Sequence, residues 1–304
     1  MRNVKNGISS LVEGAWAHGF TLAGRFLRPR AARWTSPGKQ RILIIAPHPD
    51  DEAIGCAGTI LRHKQCGDEV WIAFVTDGRG SRALGLGPDE MARQRRQEAD
   101  AVTQVLGTDH AMWFDLPEGA WTVEQLQPHL RSLFDQFAPH IVYAPSRIDF
   151  HPEHHKVADA LAACLCAMNV RSSQLLIRIY QVQVPLTPIL TNLVTPTSGV
   201  VAEINAVLKV YVTQLGSIAS TIRMRRYTAC LYRLDHQAEA FWQITPAAYA
   251  LIHNQPSDVW SLNAFRGLRP RPLSDPLAYL QGRSERKRLM GLVRDEERIK
   301  FQNA

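Results

Sequence analysis

The feature that most constrains the fold is an alternation of short apolar segments and amphipathic segments in the first half of the chain. Four apolar segments of strand length occur there: "RILIIA" (41–46), "EVWIAFVTDG" (69–78), "AMWFDL" (111–116) and "HIVYAP" (140–145). Segments with helical spacing lie between them, at 52–65, at 89–107 and from Pro128 to Phe137. Such alternation with short connections is typical of a parallel sheet covered by helices. We therefore predict an α/β fold with a mostly parallel sheet.

The second half has a less regular pattern. It predicts a helix over 155–168, a strand within 175–184, a proline-containing loop at 185–200 and a helix over 201–217. From about residue 267 the sequence is rich in Arg and Pro, with weak periodicity. We expect three parts: a basic N-terminal extension (1–37) whose sequence is compatible with a helix, a main domain (38–265) and a basic C-terminal tail (266–304), the smaller extension of the fold.

The positive charge is concentrated at the two ends of the chain. The net charge is +7, yet only Glu13 offsets eight Lys and Arg residues up to and including Arg41 at the start of the first strand, and a second basic cluster ends the sequence. A charge excess at the ends, rather than on one recognition surface, does not indicate nucleic-acid binding. No apolar run is long enough for a transmembrane helix. Residues 8–27 nevertheless fit either a peripheral membrane helix or targeting segment, or a helix packed on the protein body.

The cysteine content indicates a reducing compartment. The chain has five cysteines, an odd number, and none of them stands in a CxxC pair. This pattern suggests neither a disulfide framework nor a cysteine-based zinc site. We therefore expect a cytoplasmic protein.

Ionisable residues follow two of the predicted strands directly. "PHPDDE" (47–52) comes after the first strand and "DFHPEHH" (149–155) after the fourth. The carboxyl ends of parallel strands lie at the same edge of a sheet, where ligands collect. A catalytic zinc needs three protein ligands and one open position, and His with carboxylate provides such a set. His48 and Asp51 supply two ligands, and the second loop supplies the third.

Each loop alone also has a simpler explanation. Asp50 or Asp51 is placed to cap the helix that follows, as Asp commonly does. The His-rich loop on its own fits a solvated surface. Two such loops at equivalent ends of buried strands favour a shared metal ion over two unrelated structural roles.

The same residues carry a family resemblance. "APHPDDEAIGCAGTI", "VTDG" and "DFHPEHHKVADAL" resemble the LmbE-like, or PIG-L-like, de-N-acetylase family, whose hallmark is PHPDDE with a downstream HxDH. The resemblance covers about residues 40–245 and leaves out both ends. It implies a Rossmann-like sheet and a zinc-dependent amidase that removes an acyl group, typically acetyl, from an N-acetylglucosamine unit. The expected partner is therefore a small N-acetylated amino sugar or glycoconjugate.

The resemblance also implies roles for individual residues. His48, Asp51 and His154 would hold Zn²⁺, Asp50 would be the general base, and His151 would face the developing oxyanion. Such a site polarises a carbonyl, activates water and protonates the departing amine.

The chain departs from the family pattern at one position. Glu153 stands where the family usually has Asp, so we expect a changed support of His151. Asp149 is a second candidate for orienting the site or relaying a proton, and it is equally suited to capping the next helix. Nearby Arg79, Arg93 and Arg95 are weaker candidates for contacts to sugar or phosphate, because an arginine in a loop or on a helix face is more often solvated.

Two other functions remain open from the sequence. One is a non-catalytic module that binds a glycan or a lipid headgroup, which loss of Asp50 or of a metal ligand would have favoured. The other is a metal-dependent phosphoesterase, although two-metal sites need more bridging carboxylates than the two loops offer. We expect specificity to come from loops at 78–90, 116–121 and 185–200.

Overall fold

The computed structural model describes residues 2–168, 175–254, 265 and 274–302. Within these ranges the chain forms eight strands: β1 (Ala32–Arg33), β2 (Arg41–Ala46), β3 (Glu69–Thr76), β4 (His110–Leu116), β5 (Ile141–Ala144), β6 (Leu176–Tyr180), β7 (Leu193–Pro196) and β8 (Ala238–Ile244). The α-helices in the same ranges are α1 (Arg2–Leu27), α2 (Asp51–Gln65), α3 (Pro88–Leu106), α4 (Val123–Phe137), α5 (Pro152–Ala167), α6 (Thr187–Leu190), α7 (Val201–Val210), α8 (Leu215–Tyr232), α9 (Pro246–His253), α10 (Asp275–Leu280) and α11 (Arg283–Gln302).

The strands form a single mixed sheet in the order β1-β7-β8-β6-β5-β2-β3-β4. β8 runs antiparallel to both of its neighbours, β6 and β7. The other pairings are parallel. These findings confirm the predicted α/β fold with a mostly parallel sheet flanked by helices.

The order of the central strands creates a crevice at one edge of the sheet. From β2 the chain builds outward to β3 and β4, and it then returns to place β5 and β6 on the other side of β2. In sheets of this kind ligands bind where the strand order reverses, beyond the carboxyl ends of the two strands concerned. Here that position lies between the ends of β2 and β5, which are the strands that precede the two His- and Asp-containing loops.

Apolar side chains cover both faces of the sheet. Leu43 and Ile45 of β2 face the core beneath α4, α5, α9 and α11, whereas Ile42 and Ile44 face the core beneath α2, α3 and α7. A strand buried on both faces needs apolar residues at successive positions. This requirement explains the uninterrupted run "RILIIA".

The structure corrects two predicted helices. The helix predicted over 201–217 is interrupted, because α7 ends at Val210 and α8 begins at Leu215. α4 begins at Val123 rather than at Pro128, because Thr122 and Gln125 form a reciprocal capping box. Pro128 lies inside the helix, where its missing N–H removes one backbone hydrogen bond. The loop predicted at 185–200 contains α6 and β7, and α10 and α11 occupy part of the C-terminal segment with weak periodicity.

The N-terminal helix packs on the body of the protein. The ring of Phe20 stacks on Tyr227 of α8 with centroids 4.5 Å apart, and a Cβ added at Gly24 would lie 2.5 Å from the Leu231 carbonyl oxygen. A glycine is therefore needed where α1 and α8 approach most closely. None of the described helices is both long and apolar enough to cross a membrane. The three-part division of the chain stays a prediction, and its boundary at 265/266 adjoins residues outside the described ranges.

Candidate metal centre

Three imidazoles meet at the crevice between β2 and β5. His48 comes from the loop between β2 and α2, whereas His151 and His154 come from the start of α5. The centroid of the His48 ring lies 4.6 Å from that of the His151 ring and 5.3 Å from that of the His154 ring. One ligand atom from each residue lies within 4.8 Å of the others, close enough for a shared metal ion. The fold thus brings together the two loops that the sequence singled out.

Asp51 lies between two of these imidazoles. Its Oδ2 atom is 3.2 Å from His48 Nδ1 and 3.1 Å from His154 Nε2, and it accepts a hydrogen bond from the His48 backbone N–H. Burial opposes ionisation of this carboxyl, but the two imidazoles hold the pKa of Asp51 well below its usual range. Burial likewise opposes protonation of His48, whereas the contacts with Asp51 and Glu118 raise its pKa to about 9.

These residues fit a divalent cation. His48 Nδ1 and His154 Nε2 converge on the same Asp51 oxygen, while the other nitrogen of each ring faces Glu118 or Asp149 at 3.4 Å. Two imidazole nitrogens and a carboxylate oxygen at one point form a set of ligands in which a metal ion replaces the protons. Imidazole and carboxylate form the donor set that zinc prefers when a position must stay open for water.

Asp50 precedes α2, yet its side chain makes no capping hydrogen bond. Its Oδ1 atom instead accepts a hydrogen bond of 2.7 Å from Arg95 Nη2, and both side chains are buried. Burial raises the pKa of Asp50 to about 6, against the opposing charge of Arg95. The backbone of Asp50 has φ 152°, a region costly for any residue other than glycine and common at functional sites. A helix cap therefore does not explain Asp50.

His151 caps α5 through its ring. Its Nδ1 atom accepts a hydrogen bond from the Glu153 backbone N–H at 3.3 Å, which places the proton of the neutral ring on Nε2. Burial, together with the neighbouring His48 and His154, lowers the pKa of His151 to about 3. The ring therefore presents an N–H donor beside the other two imidazoles.

The side chain of Glu153 contacts residues other than His151. Its carboxylate accepts hydrogen bonds from Trp121 Nε1 and from Lys156 Nζ, the latter at 3.1 Å. Across the described residues the Glu153 carboxylate makes no hydrogen bond to His151. Glu153 thus ties the start of α5 to the loop that precedes α4.

Asp149 supports the second loop at several points. Its Oδ1 atom accepts a hydrogen bond from the His151 backbone N–H at 3.2 Å, and its Oδ2 atom accepts one from the Gln183 N–H at 3.0 Å. Oδ2 also lies 3.4 Å from His154 Nδ1. A carboxylate behind an imidazole orients the ring of a metal ligand and raises its basicity.

Glu118 belongs to the site, although the sequence did not single it out. Its Oε1 atom lies 3.4 Å from His48 Nε2, and its Oε2 atom accepts a hydrogen bond of 2.8 Å from the Gly80 N–H. Burial would raise its pKa, but the His48 imidazole lowers it to about 2. Because Glu118 follows β4, the strand-end rule that selected the two loops would also have found it.

Of the three candidate arginines, one lines the site and two lie outside it. Arg95 lines the cavity, whereas Arg79 binds Asp77 at 2.6 Å and Arg93 is exposed. Glu52 supports the turn, because its carboxylate accepts hydrogen bonds from the Asp50 N–H and from the Tyr211 hydroxyl.

The site opens into a cavity of about 240 Å³ with a largely polar lining. Besides the imidazoles and carboxylates, its walls include Gly80, Ser81, Arg95, Val182, Gln183, Gln214 and Ser217. Its position above the carboxyl ends of the strands agrees with the general rule for such sheets. The cavity therefore offers hydrogen-bonding groups to a small polar ligand beside the imidazole cluster.

One protein family matches the part of the chain that contains this site. The family, described as PIG-L: GlcNAc-PI de-N-acetylase, matches residues 43–165. The matched region runs from β2 through α5 and includes both loops of the cluster. The match confirms the resemblance that the two motifs indicated.

A curated relative shares the same region. The chain is 31% identical over 121 residues to a diacetylchitobiose deacetylase of Thermococcus kodakarensis. That alignment covers 38% of this chain and 45% of the relative, so the chain spans less than half of that protein's length.

Solved structures match a larger part of the chain at lower identity. An N,N'-diacetylchitobiose deacetylase from Pyrococcus horikoshii has a TM-score of 0.57 and 21% identity, covering 73% of this chain and 89% of that chain. GalB, the 4-carboxy-2-hydroxymuconate hydratase from Pseudomonas putida KT2440, has a TM-score of 0.56 and 16% identity, covering 67% and 96%. One fold thus serves a deacetylase and a hydratase, so the reaction has to be argued from the site.

Proposed function

Because residues 43–165 belong to the PIG-L family, we propose that this protein is a zinc-dependent amide hydrolase. Its substrate is a small molecule or glycoconjugate that contains an N-acetylated, or otherwise N-acylated, amino sugar. The observation that carries the proposal is the convergence of His48, Asp51 and His154 beside a carboxylate, Asp50, that Arg95 holds. The five cysteines are free in the structure, which supports a cytoplasmic location for this activity.

We assign the metal to His48, Asp51 and His154, because Asp51 contacts both imidazoles directly. When bound, zinc supplies a positive charge that polarises the acyl carbonyl and makes water more acidic. His151 lies within reach of the same ion. We assign His151 to substrate binding rather than to the metal, because its Nδ1 already accepts a hydrogen bond from the Glu153 N–H. This hydrogen bond directs the Nε2–H away from the start of α5.

Asp50 has the position and environment of a general base. It is adjacent in sequence to a proposed metal ligand, and its side chain accepts its hydrogen bond from Arg95. In the proposed reaction Asp50 takes a proton from the attacking water and returns it to the departing amine nitrogen, which amide hydrolysis requires. Arg95 positions Asp50, and through its second contact, with the Pro49 carbonyl oxygen, it also fixes the strained turn.

His151 is placed to stabilise the oxyanion of the tetrahedral intermediate. An N–H donor fixed before the reaction begins costs little reorganisation when negative charge develops on oxygen. Asp149 positions His154, and Glu153 holds the start of α5 through Trp121 and Lys156.

The cavity walls suit a sugar better than a phosphate. Glu118 accepts hydrogen bonds, Arg95 donates them, and Gln183, Gln214 and Ser217 can do both. Arg95 is the one Arg or Lys in the described lining, and it already pairs with Asp50, so the walls offer no free Arg or Lys to a phosphate. Uncharged sugar hydroxyls need no such partner.

The decisive experiment measures acetate release from N-acetylglucosamine conjugates. Protein stripped of metal should be inactive, and stoichiometric zinc should restore turnover. A p-nitrophenyl phosphate assay on the same preparation tests the phosphoesterase alternative. Zinc bound at His48, Asp51 and His154 without amide hydrolysis on any N-acyl amino sugar would identify a binding module and overturn the proposal.

A further inference from the structure

Exposed apolar side chains are concentrated on two helices that contribute no residue to the lining of the catalytic cavity. Of the ten large apolar residues that are exposed in the described part of the chain, six lie on α1 and α10. They are Leu11, Leu22, Phe26, Leu27, Leu277 and Leu280. Phe26 is 83% exposed and Leu27 69%. Single exposed apolar residues are ordinary, but a cluster of them marks an interaction surface.

These helices also border an apolar groove of about 580 Å³. Its walls include Trp16, Phe20, Leu27, Ile189, Tyr279 and Leu280. It shares no lining residue with the catalytic cavity. The Phe20 ring contacts Tyr227 of α8 and Tyr279 of α10, with centroids 4.5 and 4.7 Å away, so the helices are packed together beneath the groove. We call this groove, together with the exposed Phe26 and Leu27 at the end of α1 and Leu277 and Leu280 of α10, the α1–α10 patch.

Five exposed arginines lie at the α1–α10 patch. Arg25 lies in the last turn of α1, beside Phe26, and Arg28, Arg30 and Arg33 follow the helix. Arg283 lines the groove, and all five arginines are exposed. Residues 14–49 contain no Asp or Glu. No carboxylate in the described ranges forms an ion pair with any of these five arginines. Their charge is therefore available to an external partner.

We propose that the α1–α10 patch docks on an anionic lipid bilayer. Phe26, Leu27 and Leu280 enter the boundary between headgroups and acyl chains, and the arginines contact headgroup phosphates. Apolar residues beside arginines are the combination by which interfacial helices bind anionic lipid. A second copy of this chain fits less well, because the same arginines would face each other across the interface. The proposal stands independently of the enzymatic activity.

The test is sedimentation of the full chain with vesicles, without substrate. Vesicles of phosphatidylcholine in which phosphatidylglycerol replaces part of the lipid should bind the protein, and pure phosphatidylcholine vesicles should bind it much more weakly. High salt should release it, because salt screens exposed charges. The double variant R28Q/R30Q should lose affinity by about 30-fold. F26S/L27S, which leaves the charge unchanged, should lose roughly tenfold or more.

Matched variants elsewhere separate docking from general surface effects. Val105 on α3 is 50% exposed, and Arg131 on α4 is exposed as well. V105S and R131Q should therefore keep the affinity of the parent protein. Equal binding to neutral and anionic vesicles, or unchanged binding by F26S/L27S, would overturn the proposal. The proposal would also be overturned if the parent protein bound no vesicles and formed a dimer in sedimentation velocity that the F26S/L27S substitutions dissociate.

Discussion

At the scale of single residues, the adjacent carboxylates Asp50 and Asp51 have different surroundings. Asp51 faces two imidazoles, whereas Asp50 faces Arg95. Asp50→Asn should therefore retain zinc but lose about 10²- to 10⁴-fold in kcat, the usual contribution of a positioned base. His154→Ala should lose affinity for zinc itself. Metal analysis combined with kcat measurement checks both, and equal metal content with equal rates in the two variants would show that the roles are wrongly assigned.

A second prediction concerns the contact between Gly80 and Glu118. A Cβ at position 80 would lie 2.6 Å from Glu118 Oε1, the far end of a flexible side chain. Gly80→Ala should therefore displace the Glu118 carboxylate while changing the free energy of unfolding little. We expect G80A and E118A to raise KM for the amino-sugar substrate by a similar factor of roughly ten.

A double-variant cycle controls that prediction. If the alanine at position 80 acts only through Glu118, then G80A/E118A should have the same KM as E118A alone. Additive effects of the two substitutions would instead show that Gly80 contacts the substrate independently of Glu118.

At the scale of elements, glycines in α1 test how that helix packs. A Cβ at Gly24 would lie 2.5 Å from the backbone oxygen of Leu231 and 2.7 Å from that of Cys230, whereas a Cβ at Gly14 would meet nothing within 4 Å. Gly24→Ala should lower the free energy of unfolding by about 1–3 kcal/mol, because the α8 backbone must move. Gly14→Ala should raise it by about 0.5–1 kcal/mol through helix propensity. Urea unfolding of the full chain measures both, and equal effects would contradict close packing of α1 on α8.

The elements also show what the sequence could predict. β2, β3, β4 and β5 were predictable because each is buried on both faces or bounded by clear turns. β7 was missed because its four residues end in a proline and pair only with distant segments, β1 and β8. A strand specified by such long-range partners leaves little local pattern.

Some features of the candidate site could likewise be predicted from the sequence, and others could not. The proximity of His48, Asp51 and His154 was predictable because strand ends in a parallel sheet share an edge. The partners of Glu153 were not, since Trp121 lies on a loop 32 residues earlier in the chain. Nor was the role of Arg95, a residue of α3 that reaches Asp50 only through the packing of that helix.

At the scale of the whole molecule, the proposed metal joins two halves of the sheet. His48 and Asp51 follow β2, and His154 follows β5 after about a hundred intervening residues have folded around β3 and β4. An ion held by both loops binds only the folded chain, so it should stabilise the whole domain. Zinc at a hundred times its dissociation constant should add about 2.7 kcal/mol to the free energy of unfolding.

Thermal unfolding with and without zinc measures this linkage, and the two site variants separate it from catalysis. The parent and Asp50→Asn should both show the increase in Tm, because Asp50 lies outside the proposed ligand set. His154→Ala should show little or none, since the loop after β5 would no longer share the ion with the loop after β2. An equal increase in all three proteins would place the bound zinc elsewhere on the molecule. The convergence of the two loops would then have to be explained without a shared metal ion.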